Sequence, residues 1–328
     1  MVSGAALAVR FLAPAAWLAA RPEFAKRFVF GNAELLGQMW WGVLAGIFFV
    51  GLLARVPRDL VMGVLGPGGR VSGLLRATAA GVALDLCSHG ILLVGMQLYR
   101  RGASLGQTAA FLIASPWNSI SLTLILFALI GPFWTLAFIV LSAVVALLAG
   151  FILDTCVKRG VLPPNPNAHT LPPDFRFWKS VAASWRRLRL NRAFWADVVL
   201  TGLRESKMIL RWIFFGVLLA SAVRIMDQSH FQHFFGPSLL GLLFTLIATT
   251  LIEVCSEGSS PIAADLLKTA HAPGNAFAFL MAGVATDYTE VMALKETTGS
   301  WKAALFLPLA TVPQTLLIGW LLNHFAGG

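Results

Sequence analysis

The sequence predicts an all-α polytopic membrane protein made of two inverted-topology repeats, each with re-entrant or discontinuous helices meeting near the bilayer midplane. Three observations carry that expectation. First, of 328 residues 57% are hydrophobic and only 12% charged, with a mean hydropathy of +0.76, where soluble domains carry roughly 25% charged residues. Second, stretches such as 40–54, 119–153 and 209–222 contain no acidic residue, and several reach the roughly 20 residues that a helix needs to span a bilayer. Third, one four-residue pattern, Cys-Ser-X-Gly, occurs twice inside apolar sequence, at Cys87–Gly90 and at Cys255–Gly258.

Composition also excludes several classes. The formal charge of +10 invites a nucleic-acid reading, but the cations cluster beside apolar spans, as the positive-inside rule requires. The expected partner is therefore the lipid bilayer, with no nucleic acid. Short alternating segments of a membrane β-barrel are absent. Three cysteines do not make a disulfide framework. No Gly-x-x-x-x-Gly-Lys-Ser/Thr run occurs, so the chain is not expected to hydrolyse ATP or to be an enzyme.

Taken in order, residues 1–30 read as an N-terminal interfacial or extra helix, interrupted by Arg10 and Pro14. The first membrane repeat occupies 31–153. It opens with a span at about 34–54 and a connector, 55–70, whose Pro57, Gly66, Pro67, Gly68 and Gly69 predict turns only. An apolar stretch at 71–99 is broken at Cys87-Ser88-His89-Gly90. Another, at 106–130, is broken at Ser115-Pro116-Trp117-Asn118, where proline removes a backbone donor. A span at 132–153 closes the half. Residues 154–200 form a basic, Pro-rich cytoplasmic linker that ends in an amphipathic segment around Trp185-Arg186-Arg187. The second repeat, 201–328, contains a span at 204–223, a Gly236-Pro237 connector, broken stretches at 238–268 and 274–294, and a last span at 302–325.

An offset of 168 residues places Cys87 on Cys255, and residues 87–119 then align without a gap to 255–287 with nine identities. Upstream, Gly66-Pro67 resembles Gly236-Pro237 at a slightly different offset. Such self-similarity is the mark of a duplicated transporter fold. Charge gives the orientation. Arg55, Arg58, Arg70, Arg76, Arg100 and Arg101 flank the first hairpin, whereas the matching places in the second half carry only Arg224 and Lys268. A hairpin that enters and leaves on the arginine-rich side leaves three crossings per half, and an odd number inverts the second copy.

Irregular backbone survives in hydrocarbon only where it faces protein or a water-filled cavity, so the breaks are the candidate site. Cys87, Ser88, His89, Cys255, Ser256 and Glu257 are expected to bind substrate, with Asn118 and Thr286 lining its path. Asp85, Glu253 and Asp287 are ionisable groups in apolar sequence, suited to proton coupling. Cys87, His89, Cys255 and Glu257 together would suit a soft or borderline cation, carried as substrate, since no resident cofactor is expected. Each feature has a plainer reading. Cysteine is a common small buried residue, and Asp287 and Glu290 could pair with Lys295 as readily as move protons.

These motifs resemble the bacterial predicted-permease family that includes the organoarsenical efflux permeases (ArsP). The similarity lies in Cys87-Ser88-X-Gly90, Arg101–Gly106 and Phe111–Asn118, and in Val254–Ala264 and Ala278–Asp287. It implies a multi-pass bacterial inner-membrane permease, with family members linked to export of trivalent arsenicals or otherwise uncharacterised. Relatives carry Cys-Ser-Cys-Gly where this chain has His89, and asparagine where it has Asp287, so a divalent cation or a proton-coupled organic solute becomes as plausible a cargo. The resulting expectation is a secondary transporter effluxing a thiophilic metal, metalloid or small solute. The alternative is a membrane-embedded thiol-disulfide oxidoreductase that cycles Cys87 and Cys255. A homo-oligomer is compatible with either.

Overall fold

The computed structural model describes residues 23–84, 88–114, 120–168, 174–187, 191–223, 235–251, 256–268 and 270–326, and among these every regular element is a helix. In chain order they are α1 (Glu23–Arg55), α2 (Arg58–Leu65), α3 (Val71–Ala83), α4 (Ser88–Arg100), α5 (Leu105–Ala114) and α6 (Ile120–Lys158). Then come α7 (Phe177–Arg187), α8 (Arg192–Val223), α9 (Leu239–Leu251), α10 (Ser256–Lys268), α11 (Pro273–Thr286), α12 (Tyr288–Thr298) and α13 (Trp301–Ala326).

The chain is a multi-pass membrane protein. Three stretches among the described residues are long and apolar enough to cross a bilayer, Thr123–Lys158, Pro273–Thr298 and Trp301–Ala326. Along α6 the large side chains of Phe133, Val140, Leu148 and Phe151 stand exposed, as on a lipid-facing helix. By contrast α3, α4, α9 and α10 have 13 residues each. At 1.5 Å per residue that is about 20 Å, too short for a hydrocarbon core of about 30 Å.

The duplication is visible in the element boundaries. Shifting α3 and α4 by 168 residues gives the bounds of α9 and α10, and the ends of α6 map in the same way onto the start of α12 and the end of α13. The bend between α12 and α13 falls at Gly299, whose counterpart Gly131 bends α6 ahead of Pro132; both glycines have positive φ, 70° and 84°. Packing repeats as well. α3 lies on α5 as α9 lies on α11, and α4 meets α12 as α10 meets α6. The long helices α1 and α8 pack on each other over the largest contact in the molecule. Gly51 lies against Val198, Gly202 against Ile47, and Phe48 stacks on Trp195. Partner numbers fall on α8 as they rise on α1, so the two helices are antiparallel.

A polar clasp fastens the start of α5. Asp154, at the end of α6, accepts from the Gly106 amide at 2.8 Å and from the Gly69 amide and Ser104 hydroxyl at 3.0 Å each. Next to it Gln107 donates to the Leu65 and Gly66 carbonyls. The second half repeats the arrangement with amides. Asn323 accepts from the Gly274 amide at 2.7 Å and donates to Asn275, which donates to the Phe235 and Gly236 carbonyls. Gly66 and Gly236, matched in sequence outside the constant offset, hold equivalent places.

Replacing Asp154 with alanine strands those three donors, two of them on backbone in a crowded turn, at about 1–3 kcal/mol for each that stays dry. A fall of several degrees in the thermal midpoint of the detergent-purified protein is expected for Asp154→Ala and a smaller one for Asn323→Ala. Equal falls would contradict this ranking.

The arginine-rich end is tied together by specific bonds. Arg101 donates to the carbonyls of Val56 and Ala54, capping α1. Burial holds its guanidinium below its ordinary pKa, with Arg58 adding to the fall and Glu205 opposing it. Arg100 pairs with Glu205 at 2.7 Å and Arg55 pairs with Asp197, both linking the first half to α8. Asn165 donates to the Tyr99 and Ala103 carbonyls at 2.7 Å, docking the Pro-rich segment onto the end of α4.

Several expectations are corrected. The connector at 55–70 is not turn alone: α2 occupies half of it, burying Leu60, Val61, Met62 and Leu65, because this apolar cluster outweighs the flanking Pro and Gly. α8 begins at Arg192, a full three turns before the expected 204, since the segment 194–203 packs on α1. Asp154 belongs to helix α6, not to the linker.

Candidate functional site

Both Cys-Ser-X-Gly patterns fall at helix starts. α3 ends at Ala83 with Leu84 extended, and α4 begins at Ser88. α9 ends at Leu251, and α10 begins at Ser256. Ser88, His89 and Gly90 are therefore the first turn of a helix, as are Ser256, Glu257 and Gly258, and the expectation of an irregular four-residue tip is corrected accordingly. Asp85, Cys87, Asn118, Glu253 and Cys255 lie outside the described residues. For Ser256 and Glu257 only the backbone is described.

His89 is 6% exposed, a buried imidazole in an apolar chain. Its Nδ1 lies 3.4 Å from the Ser88 hydroxyl, with the direction of that contact set by the tautomer. Beside it Gly90 beds on Gly46 of α1, so closely that a Cβ on Gly46 would come within 2.8 Å of the Gly90 Cα. Two glycines thus let the start of α4 press against α1 and fix the depth of His89.

The other described part of the site is the junction of α11 and α12. The break is confined to Asp287, extended at φ −60° and ψ 142°, whose amide still closes α11 onto the Gly283 carbonyl at 2.9 Å. The expected break across 283–287 is thus one residue, since Gly283–Thr286 continue the helix. Asp287 at 5% exposure, in the N-cap position, and Glu290 at 4%, in the first turn, are both buried at the start of α12, where the helix dipole favours negative charge. Thr286 donates to the Ala282 carbonyl and bonds the Thr250 hydroxyl at 2.8 Å. Because α12 packs on α4, the helix start carrying Asp287 and Glu290 belongs to an element in contact with the one carrying His89. Lys295, the expected ion partner, has its Nζ 5.4 Å from the centre of the Trp301 ring.

Sequence reasoning missed two polar residues. Thr250 falls opposite Val82 in the repeat, so no self-similarity marks it. Gln97 is 5% exposed within α4, and its Oε1 has no hydrogen-bond partner among the described residues. A lone amide in an apolar helix was the available signal. No group of three or more His, Cys, Asp or Glu side chains suited to a metal occurs among the described residues; of the four expected ligands only His89 has a described side chain. A cavity of about 550 Å³ opens among Gly66–Gly69, Ser104, Asp154, Lys158 and Asn165. None of the expected site residues lines it, and Asp154 and Asn165 spend their polar atoms on the clasp and on docking the linker.

Short helices paired about a buried histidine and buried carboxylates, in a chain of membrane-crossing helices, define a membrane permease scaffold. The chain belongs to the predicted permease family ArsP_1, whose model matches residues 31–324. It is 26% identical to the "Putative permease Rv2963" of Mycobacterium tuberculosis over 246 residues, covering 69% of this chain and 59% of that protein. It thus spans under two thirds of the mycobacterial relative's length. It is also 23% identical to the "UPF0718 protein MJ0584" of Methanocaldococcus jannaschii over 298 residues, covering 73% of this chain and 79% of the relative. No solved structure matches the chain.

Proposed function

We propose that the protein is a secondary transporter of the bacterial inner membrane that effluxes a thiophilic metal, metalloid or small solute through a site between two oppositely oriented repeats. The observation that carries this reading is the burial of His89, Asp287 and Glu290 at the starts of α4 and α12, which pack on each other. Ionisable groups at such depth are costly in hydrocarbon, by about 2.5–3.5 kcal/mol each on insertion scales, and a water-filled substrate path offsets that cost. Antiparallel packing of the equivalent helices α1 and α8 supports inversion, because a two-fold axis across paired antiparallel helices reverses one half in the membrane.

In this reading Cys87, Ser88, His89, Cys255, Ser256 and Glu257 contact the cargo, with Asn118 and Thr286 along the path. Asp85, Glu253 and Asp287 exchange protons as the halves rock. Thiol, imidazole and carboxylate donors suit a soft or borderline cation. Proteoliposomes holding the full chain and loaded with arsenite, Zn2+ or Cd2+ are expected to release one of them faster than empty vesicles. An imposed pH gradient should change the rate. Release equal to protein-free vesicles for all three, with a panel of small organic thiol ligands equally retained, would sink the reading.

A further inference from the structure

Helix α8 carries three cations at helical spacing on its exposed side, Arg204, Lys207 and Arg211. At i, i+3 and i+7 they form one stripe about 10 Å long. The same side is apolar before and after them: Val199, Leu200 and Leu203 are exposed on one flank and Phe214 on the other. Two acidic residues of this part of α8 are engaged elsewhere, Asp197 with Arg55 and Glu205 with Arg100. The stripe is therefore positive and outward.

Its depth follows from the packing of α8 on α1. Ile47 faces Gly202 and Gly51 faces Val198, so in an antiparallel pair Arg204 to Arg211 stand level with about residues 38–45 of α1. Those residues lie within the apolar run at 35–54. The cations thus lie between exposed apolar side chains on one face of the helix, with Arg100 of the arginine-rich end reaching Glu205 beside them. Three charges facing acyl chains would each be strongly unfavourable; long aliphatic stems allow the heads to reach an anion that dips towards them.

We infer that the Arg204–Lys207–Arg211 stripe is a binding site for the phosphate of an anionic phospholipid, whose acyl chains run from the stripe over Phe214, away from the end where Asp197 pairs with Arg55. The apolar Phe214 side matches lipid tails and the stripe matches a headgroup. A second copy of the chain is the poorer occupant, because an isologous contact sets the same cations against one another. The segment leading into α8 has the same chemistry: α7 is basic at its C-terminal end and exposes Trp178 at 80%, a composition drawn to anionic leaflets.

The site stands apart from whatever the protein carries, so its test does not use transport. Delipidated full-length protein in detergent is titrated with dioleoyl-phosphatidylglycerol and with dioleoyl-phosphatidylcholine, and bound lipids are counted by native mass spectrometry. The wild type is expected to prefer phosphatidylglycerol by at least about tenfold, and the combined Arg204→Gln, Lys207→Gln, Arg211→Gln variant to lose that preference. Should the triple variant fail to fold, Lys207→Gln alone is expected to lower the preference severalfold and Lys207→Arg to keep it. Equal binding of the two lipids by the wild type, or an unchanged preference in the variants, overturns the site. So does loss of a dimer in the variants with no change in lipid preference, which would assign the stripe to a second copy.

Discussion

Asp287→Asn is expected to lower solute flux in proteoliposomes by roughly a hundredfold, the scale on which a positioned proton-transfer group acts, while leaving yield and thermal midpoint almost unchanged. The reason lies in what the substitution keeps. Asparagine has the shape of aspartate, adopts the same extended backbone ahead of a helix, and serves as well at a helix N-terminus, the place Asp287 holds before α12. It removes only the charge and the ability to bind a proton. If the buried carboxylate merely holds α11 to α12, the amide does the same and flux is retained. If it cycles protons, flux falls and its dependence on a pH gradient disappears. Flux unchanged, with the gradient dependence intact, would remove Asp287 from the coupling role and shift attention to Glu290, one turn along the same helix and equally buried.

Gly274→Val is expected to abolish recovery of folded protein. Gly274 opens α11, where its backbone touches α13 so closely that any Cβ would overlap the Gly319 carbonyl, and its amide donates to Asn323 at 2.7 Å. The obstacle is main chain on a packed helix, which cannot swing aside as a side-chain end can. Overpacking of this kind costs about 1–3 kcal/mol where the core yields and more where it does not, and here the Asn323 clasp opens with it. Gly37→Val supplies the control, since a Cβ on Gly37 meets nothing within 4 Å. The monodisperse fraction on size exclusion in detergent should collapse for Gly274→Val and stay near wild type for Gly37→Val. A monodisperse Gly274→Val protein would show that α11 and α13 can separate at little cost.

Much of the scaffold was legible because duplication writes the same boundaries twice. The repeat found between residues 87–119 and 255–287 extends to the ends of α3, α4, α9 and α10, and at the same offset α3 and α9 share Gly73/Gly241, Leu74/Leu242, Leu75/Leu243 and Ala80/Ala248. Hydrophobic substitutions erase identity while leaving helix length, which is set by bilayer depth and turn chemistry. What stayed hidden depended on tertiary contact. The start of α8 at Arg192 was overlooked although Asn191 caps it, its side-chain oxygen accepting from the Phe194 amide at 2.8 Å; packing on α1 completes the segment. Likewise α2 reads as a Pro- and Gly-flanked connector until its four apolar side chains find the core. Asn323 escaped notice because the last helix has slipped by one residue, so the offset of 168 places Leu322, not Asn323, on Asp154. Of the polar residues near the starts of α4 and α12, His89, Thr286 and Asp287 were singled out by their polarity in apolar sequence, whereas Gln97 and Thr250 were not. An amide or a hydroxyl is common in membrane helices; Gln97 is set apart by its burial and the exposed Thr250 by its bond to Thr286.

The two clasps, alike in position, differ by one charge. In the first half a carboxylate gathers three donors; in the second, the neutral amide of Asn323 takes one and passes its own hydrogens to Asn275. Hydrogen bonds to an ion are roughly twice as strong as those between neutral groups. A duplicated scaffold with equal clasps would hold its two halves alike. Here the latch of the first half is the harder to unfasten, so symmetry of shape coexists with an inequality of strength.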